Sequence, residues 1–220
     1  MSKAYNSHRS PTADYSLTWI KELIILLIFI PAFLYGQDTC NSELWQHVYH
    51  PYRLIIQDLA CLGLSGATFS DDRKYRYVLW RKWDHGIKPK EVMFIGLNPS
   101  TADENADDAT VRRGIRFAKD WGYIGMFMCN LYAFVSTDPS KLLISGEKLG
   151  INNNVLNCIA HGRGADVVFS WGCFKQHRKR MDEVINMFPN AFCIEKSKEG
   201  YPKHPLYLNA DLKPIKFKDY

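Results

Sequence analysis

The sequence predicts an α/β fold in three layers, with helices on both faces of a short, mostly parallel sheet of four strands. From Gly66 onwards, short apolar segments alternate with stretches of helical periodicity, which is typical of β-α units around a parallel sheet. Several of these segments are continuously apolar, as expected of strands buried on both faces. A chain of 220 residues with 46% hydrophobic and 23% charged residues can form one domain with a sizeable core.

Five segments have the composition of strands. Residues 75–83 alternate aromatic or apolar with basic side chains, which predicts an edge or half-buried strand. The other four are predicted to form the buried centre of the sheet, and they are 91–97, 126–131, 166–171 and 191–194.

Three segments are predicted to be helical. In 110–121, apolar residues at Val111, Ile115 and Ala118 recur among basic residues, which indicates an amphipathic helix. Residues 152–160 and 175–188 are the other two helices, and the last of these starts with basic residues. A loop is predicted over 200–208. Ligands bind where the strands of such sheets end.

The first 60 residues are predicted to be an extension, with the domain at 61–220. The extension contains an apolar run at 23–35, which is too short to cross a bilayer because a span needs about 20 residues. Bulky residues at its end make a poor signal-peptide cleavage site. An export or anchor segment, an extra helix and a misplaced start codon remain open. We expect a cytoplasmic protein, with a membrane anchor as the alternative.

The basic charge of the chain lies in the predicted domain. The net charge is +5, and residues 1–60 hold four basic and five acidic side chains, leaving 24 basic and 18 acidic in the rest. This excess suits a polyanionic partner such as DNA, although an inert basic surface explains it equally simply. The six cysteines are scattered without a C-x-x-C pair, so we predict a reducing compartment and neither metal nor cofactor.

Four motifs carry candidate chemistry, and three of them sit where a predicted strand ends. The first is GLNPSTAD with Asn98, the second is Asn130 at the end of its apolar strand, and the third is VVFSWG followed by basic residues. The fourth is KHPLYL, which contains His204. Each alone has a simpler explanation, since Asn-Pro forms turns, buried Asn is often structural and charged runs are usually solvated.

In this order the motifs resemble those of uracil-DNA glycosylases. The Asn at position 98 makes the first motif similar to the mismatch-specific and thymine-DNA glycosylase branch. Residues 66–216 resemble still more closely a bacterial and phage family of unknown function, characterised by GLNPSTAD, DD.T..R, AKDWGY, NLYAF and HPLYL.

The resemblance implies roles for individual residues. Asn98 would position the attacking water, Asn130 would recognise the flipped base, and His204 would stabilise the departing base anion. Leu208 corresponds to the intercalating leucine, although glycosylases have small residues or proline where this chain has Leu206 and Tyr207. The remaining residues implied to bind substrate are Gly96, Leu97, Pro99, Ser100, Tyr132 and Trp171, and those implied to contact DNA are Lys175, Arg178, Lys203, Leu206 and Tyr207. Tyr132, Phe134 and Trp121 are candidates to stack on the base.

The expected activity is hydrolysis of the N-glycosidic bond of a flipped base, by a monomer acting on DNA. Asn98 orients water but accepts no proton, so the base must leave easily or a nearby acid must assist. Asp103, Asp107 and Asp108 are the candidate acids. Mismatched, damaged or modified bases fit the first condition, and removal of a modified phage base in defence is one such reaction.

Two further functions remain open. The pocket could bind a nucleotide without this chemistry. Alternatively, the acids at 103, 104, 107 and 108 could hold Mg²⁺ for phosphoester hydrolysis. Against the metal, acids immediately before a helix are well explained as caps and as complements to the helix dipole.

Overall fold

The computed structural model describes residues 64–83, 90–143 and 149–218. The predicted N-terminal extension, its apolar run at 23–35 and the interpretations attached to it lie outside these residues. Within the described ranges, no helix is both long and apolar enough to cross a membrane.

The chain forms seven strands and three α-helices within the described residues. The elements are β1 (Ser65–Phe69), β2 (Arg76–Lys82), β3 (Glu91–Gly96), α1 (Ala109–Asp120), β4 (Gly125–Asn130), α2 (Leu149–Asn157), β5 (Asp166–Phe169), α3 (Arg178–Met187), β6 (Phe192–Cys193) and β7 (Ile215–Lys216). A π-helical turn extends α2, and a 3-10 turn precedes α3. A further 3-10 turn, Pro205–Tyr207, interrupts the predicted loop at 200–208.

The α/β class is confirmed, but the predicted four-stranded sheet is wrong. The strands form one mixed seven-stranded sheet in the order β1-β2-β4-β3-β5-β6-β7. The four segments predicted as its centre are adjacent and mutually parallel, whereas β1, β2 and β7 add antiparallel pairs at the two sides. β2 is therefore internal rather than an edge strand. β7 has only two residues, both exposed, so it carries no hydrophobic pattern that would reveal it.

Helices cover both faces of the sheet. Val111, Phe117 and Ala118 of α1 pack on one face, together with alternate residues of β3 and β4 such as Phe94 and Met128. The opposite residues of the same strands pack with α2 and α3. Successive side chains of a strand point to opposite faces. We call the two faces the α1 face and the α2/α3 face.

The carboxyl ends of β3, β4 and β5 meet at one edge of the sheet. Gly96 is the register partner of Asn130, and the N–H group of Leu131 donates to the carbonyl oxygen of Gly96 at 2.8 Å. On the other side of β3, the N–H group of Ser170 donates to the carbonyl oxygen of Ile95 at 2.9 Å. Neighbouring strands lie about 4.8 Å apart. The first three motifs therefore leave the sheet side by side.

Candidate functional site

Asn98 is held by its amide group immediately after β3. Its Nδ2 donates to the carbonyl oxygens of Pro99 at 2.9 Å and Ser136 at 2.7 Å. Among the described residues, no donor reaches its Oδ1, which is left to accept a hydrogen bond from water or a ligand. Leu97 and Pro99 are buried, and Ser100 is half-buried, so this loop is packed rather than free.

Asn130 presents an unpaired amide at the end of β4. The residue is only 3% exposed, and within the described residues its Nδ2 has no hydrogen-bond partner. Cys129 belongs to the α2/α3 face, so alternation directs Asn130 to the α1 face. The Oδ1 of Asn130 lies over Gly96, where a Cβ atom would come within 2.9 Å of it. The buried donor requires a partner that these residues do not supply.

His204 has one defined tautomer when it is neutral. The N–H group of Leu206 donates to Nδ1 of His204 at 3.3 Å, so Nδ1 is an acceptor and the proton resides on Nε2. Burial lowers the pKa of His204, while the charge of Asp108 acts in the opposite direction. The residue is therefore poised as a neutral donor through Nε2.

Helix α1 holds the loop that carries His204. Arg113 donates to the carbonyl oxygens of Pro205, at 3.4 Å, and Leu208. Leu208 is 8% exposed and packs on the α1 face. A residue must be exposed to enter a base stack, and in this arrangement Leu208 is not presented to solvent. Leu206, at 39%, and Tyr207, at 84%, are the exposed apolar residues of the loop.

The three candidate acids are all engaged by the protein. Asp103 accepts from two backbone N–H groups of its own loop, which lower its pKa. Asp107 pairs with Arg81 at 2.7 Å, and Asp108 caps α1 by accepting from the N–H group of Val111 at 2.8 Å. In the described part of the chain, no group of three or more His, Cys, Asp or Glu side chains could hold a metal ion. The charge of Asp108 acts on His204 and raises its pKa against the effect of burial.

The aromatic residues singled out from the sequence contribute to the packing of the sheet faces. Tyr132 and Trp171 are buried on the α2/α3 face, and the hydroxyl of Tyr132 is 3.1 Å from Nδ1 of His177. Trp121 is buried beneath α1. Phe134 packs edge-on against another aromatic ring at the β2 side of the sheet. These four rings therefore pack in or against the two cores on the faces of the sheet.

A cleft of about 590 Å³ opens beside His204. Its lining includes Gly172, Phe174, Glu195, Lys203, His204 and Tyr207. His204 lines this cleft, whereas Asn98 and Asn130 do not. Its volume falls in the range of small-molecule sites, about 300–1,000 Å³.

Phe174 is a site residue that the sequence did not single out. Gly172 has a φ of +86°, and a Cβ atom there would lie 3.3 Å from the ring of Phe174 and 3.6 Å from the Cβ of His204. Glycine therefore allows the chain to turn after Trp171 and brings Phe174 into the cleft. The sequence feature that could have identified Phe174 is its position shortly after the Trp171-Gly172 pair.

The basic residues expected to contact DNA are accessible. Lys175 is exposed, and Arg178 is exposed with only a long ion pair to Asp182 at 3.8 Å. Lys203, whose side chain is 41% exposed, pairs with Glu195 in the cleft. Exposed ion pairs of this kind contribute little to stability, so these cations are available to a phosphate.

The comparisons with known proteins identify one family. Residues 76–206 match the family described as "Protein of unknown function (DUF1643)", and this range contains Asn98, Asn130 and His204. Neither a curated protein nor a solved structure matches the chain. Because the matched residues make up more than half of its length, the chain belongs to the DUF1643 family.

Proposed function

We propose that this protein is a DNA glycosylase that hydrolyses the N-glycosidic bond of a mismatched, damaged or modified base turned out of the duplex. One observation carries the proposal. At the neighbouring ends of β3 and β4, the described residues leave an acceptor open on Asn98 and a buried donor open on Asn130, and the loop beside Gly172, after β5, carries a neutral N–H on His204. An extruded base and an attacking water supply the partners that these groups require.

The proposed reaction breaks the bond between C1′ of the sugar and the ring nitrogen of the base. The electron pair of that bond leaves with the base, and the oxygen of water bonds to C1′. The water loses one proton and the base gains one, so the products are an abasic sugar and a free base. The protein must therefore stabilise an anionic base and orient a water molecule.

His204 suits the first of these tasks. Its Nε2–H group would donate to a carbonyl oxygen of the base as negative charge develops there. A neutral imidazole, favoured by the lowered pKa, keeps that proton through the reaction. Asn98 suits the second task, because its amide is anchored on two carbonyl oxygens and its Oδ1 is left for the water.

Asp108 is our candidate to accept the proton from the water. Asn98 has no basic group for this step. All three acids are engaged: Asp103 by its own loop, Asp107 by Arg81 and Asp108, through Oδ1, by the cap of α1. We choose Asp108 because its charge acts on His204. We further propose that the protein works as a monomer in the cytoplasm and needs no cofactor.

One observation favours a second candidate function, which is nucleotide binding without glycosylase chemistry. The open cleft contains His204 but neither Asn98 nor Asn130. A ligand seated only in this cleft would contact His204 without reaching Asn98 or Asn130.

The deciding experiment incubates the full-length protein with duplexes that contain uracil, mismatched thymine, or hydroxymethylated or glucosylated cytosine. Alkali then cleaves any abasic strand. We expect cleavage on at least one duplex, lost in Asn98→Ala and retained in Asn105→Ala, an exposed neighbour on the same loop. Binding without cleavage on any duplex would favour the second candidate, and cleavage that is lost with a chelator would revive the metal site.

A further inference from the structure

We propose that Phe174 and Tyr207 form the aromatic walls that hold the extruded nucleobase beside His204. This inference rests on the proposed glycosylase function and identifies the residues that stack on the base at the His204 side of the site. It replaces the aromatic residues expected from the sequence, which lie outside the cleft.

The geometry of the cleft brings two aromatic rings to His204. The rings of Tyr207 and His204 have centroids 5.7 Å apart. Phe174 follows the turn at Gly172, and Phe174, Tyr207 and His204 all belong to the lining of the same cleft. Two aromatic rings and an N–H donor in one cleft suit a flat ring that carries a carbonyl oxygen. Stacking recognises the aromatic face of any base, and the His204 donor recognises its oxygen.

The polar rim fits a nucleotide better than a purely apolar ligand. Lys203 and Glu195 form an ion pair in the cleft, and both side chains are about 41% exposed. The Lys203 side chain is therefore accessible to a phosphate of the same nucleotide whose base contacts Phe174 and Tyr207. An apolar ligand would leave this charged pair without a function.

The exposure of Tyr207 is the strongest indication that the cleft binds a ligand. It is 84% exposed although it is aromatic. The loop that carries it is fixed by Arg113 and by the bond from Leu206 to His204. The ring is therefore presented to solvent by an anchored loop, and a stacked base would cover it.

Cys173 provides a reporter within the cleft. Its thiol is exposed and its residue lines the cleft, whereas Cys158 is half-buried on α2's π-helical extension. The rate at which iodoacetamide modifies each peptide is measured by mass spectrometry on the full-length protein. The probes are uracil, thymine, 5-hydroxymethylcytosine and adenine, and 5,6-dihydrouracil serves as control. Dihydrouracil keeps both carbonyl groups of uracil but loses the flat aromatic ring.

We expect at least one aromatic base to slow modification of Cys173 and leave Cys158 unchanged, with dihydrouracil giving much weaker protection. Loss of one stacking wall should weaken protection about tenfold in Phe174→Leu and in Tyr207→Leu. Phe192→Leu is the matched control, because Phe192 is a half-buried aromatic on β6 outside the cleft. Since Tyr207 is exposed, its variant tests the proposal even if Phe174→Leu fails to fold.

Two results would overturn the inference, and both are separable from the glycosylase assay. The first is that none of the four bases protects Cys173 up to its solubility limit. The second is that both wall variants retain the protection of the unaltered protein. Cleavage of a duplex together with either result would contradict the base site and support the proposed function. Protection of Cys173 without cleavage of any duplex would support the base site and contradict the proposed function.

Discussion

Arg113 on α1 donates a hydrogen bond to the carbonyl oxygen of Leu208, which lies 95 residues further along the chain. The same helix is capped by Asp108, whose charge acts on His204. The motif DD.T..R therefore has a structural explanation here: its second Asp begins the helix, and its Arg holds the loop that carries the imidazole. Asp108 and Arg113 therefore link the acidic segment and α1 to the His204 loop.

Replacing Arg113 with Ala should loosen this loop. Two carbonyl oxygens lose a charged donor, and such hydrogen bonds contribute about 2 kcal/mol each. We expect the free energy of unfolding to fall by about 2 kcal/mol in total, since water partly replaces the donor, and amide exchange at 206–208 to accelerate. Urea denaturation and hydrogen exchange measure the two effects.

Arg116→Ala is the control for this change. Arg116 lies on the same helix, is exposed, and makes only a 3.8 Å surface ion pair with Asp120. Such pairs contribute about 0–1 kcal/mol. Equal loss of stability in the two variants, with no change in exchange at 206–208, would contradict the role given to Arg113.

Gly96→Ala should disturb Asn130 directly. The added Cβ would lie 2.9 Å from Oδ1 of Asn130, inside normal contact distance. Asn130 must move, and crowding of this kind in a packed interior costs about 1–3 kcal/mol. We expect a large loss of cleavage activity in the duplex assay with a moderate loss of stability. Gly150→Ala is the matched control, because nothing lies within 4 Å of a Cβ at that position. Full activity in Gly96→Ala would argue against base recognition by Asn130.

The sequence predicted the centre of the sheet because those strands bury both faces. The four continuous apolar runs became β3, β4, β5 and β6. It did not predict β1 or β7. β7 is two exposed residues paired only with β6, so its existence depends on a tertiary contact rather than on a local pattern. β2 is internal because β1, which the sequence did not predict, pairs with it on the side away from β4.

The candidate site was predictable only where a motif coincides with a strand end. Asn98 and Asn130 could be placed because parallel strands end at one edge. Regular alternation ends with β4, because Leu131, Tyr132 and Ala133 all pack in the core on the α2/α3 face, so the sequence pattern could not assign Tyr132 to a face. The burial of Leu208 and the turn that presents Phe174 come from long-range packing that the motifs do not encode.

Asn98→Asp should not improve the enzyme, although a carboxylate is the better base. Nδ2 of Asn98 donates to the carbonyl oxygens of Pro99 and Ser136. A carboxylate would replace that donor with an acceptor and repel both oxygens. We expect stability to fall by about 2 kcal/mol and cleavage to be lost. Asn105→Asp, an exposed change on the same loop, controls for added charge. Higher turnover in Asn98→Asp would mean that the anchoring bonds do not set the geometry.

His177 should make the protein less stable in acid. It is 2% exposed, its Nδ1 meets the hydroxyl of Tyr132, and within the described residues its Nε2 has no partner. Burial lowers its pKa below the ordinary value of 6.5. Between the folded pKa and 6.5 the unfolded chain binds more protons than the folded one. Stability therefore rises with pH across that window and decreases as the pH falls below 6.5.

Removing the imidazole of His177 should flatten this dependence. We expect the free energy of unfolding of His177→Gln, measured by urea denaturation from about pH 7.5 to 5, to fall less steeply than that of the unaltered protein. Some slope should remain, because burial also lowers the pKa of His204. His161→Gln is the control, since His161 is exposed on the π-helical turn after α2. An unchanged slope in His177→Gln would mean that His177 takes up its proton as readily in the folded protein as in the unfolded chain, through a partner for Nε2 that forms in solution.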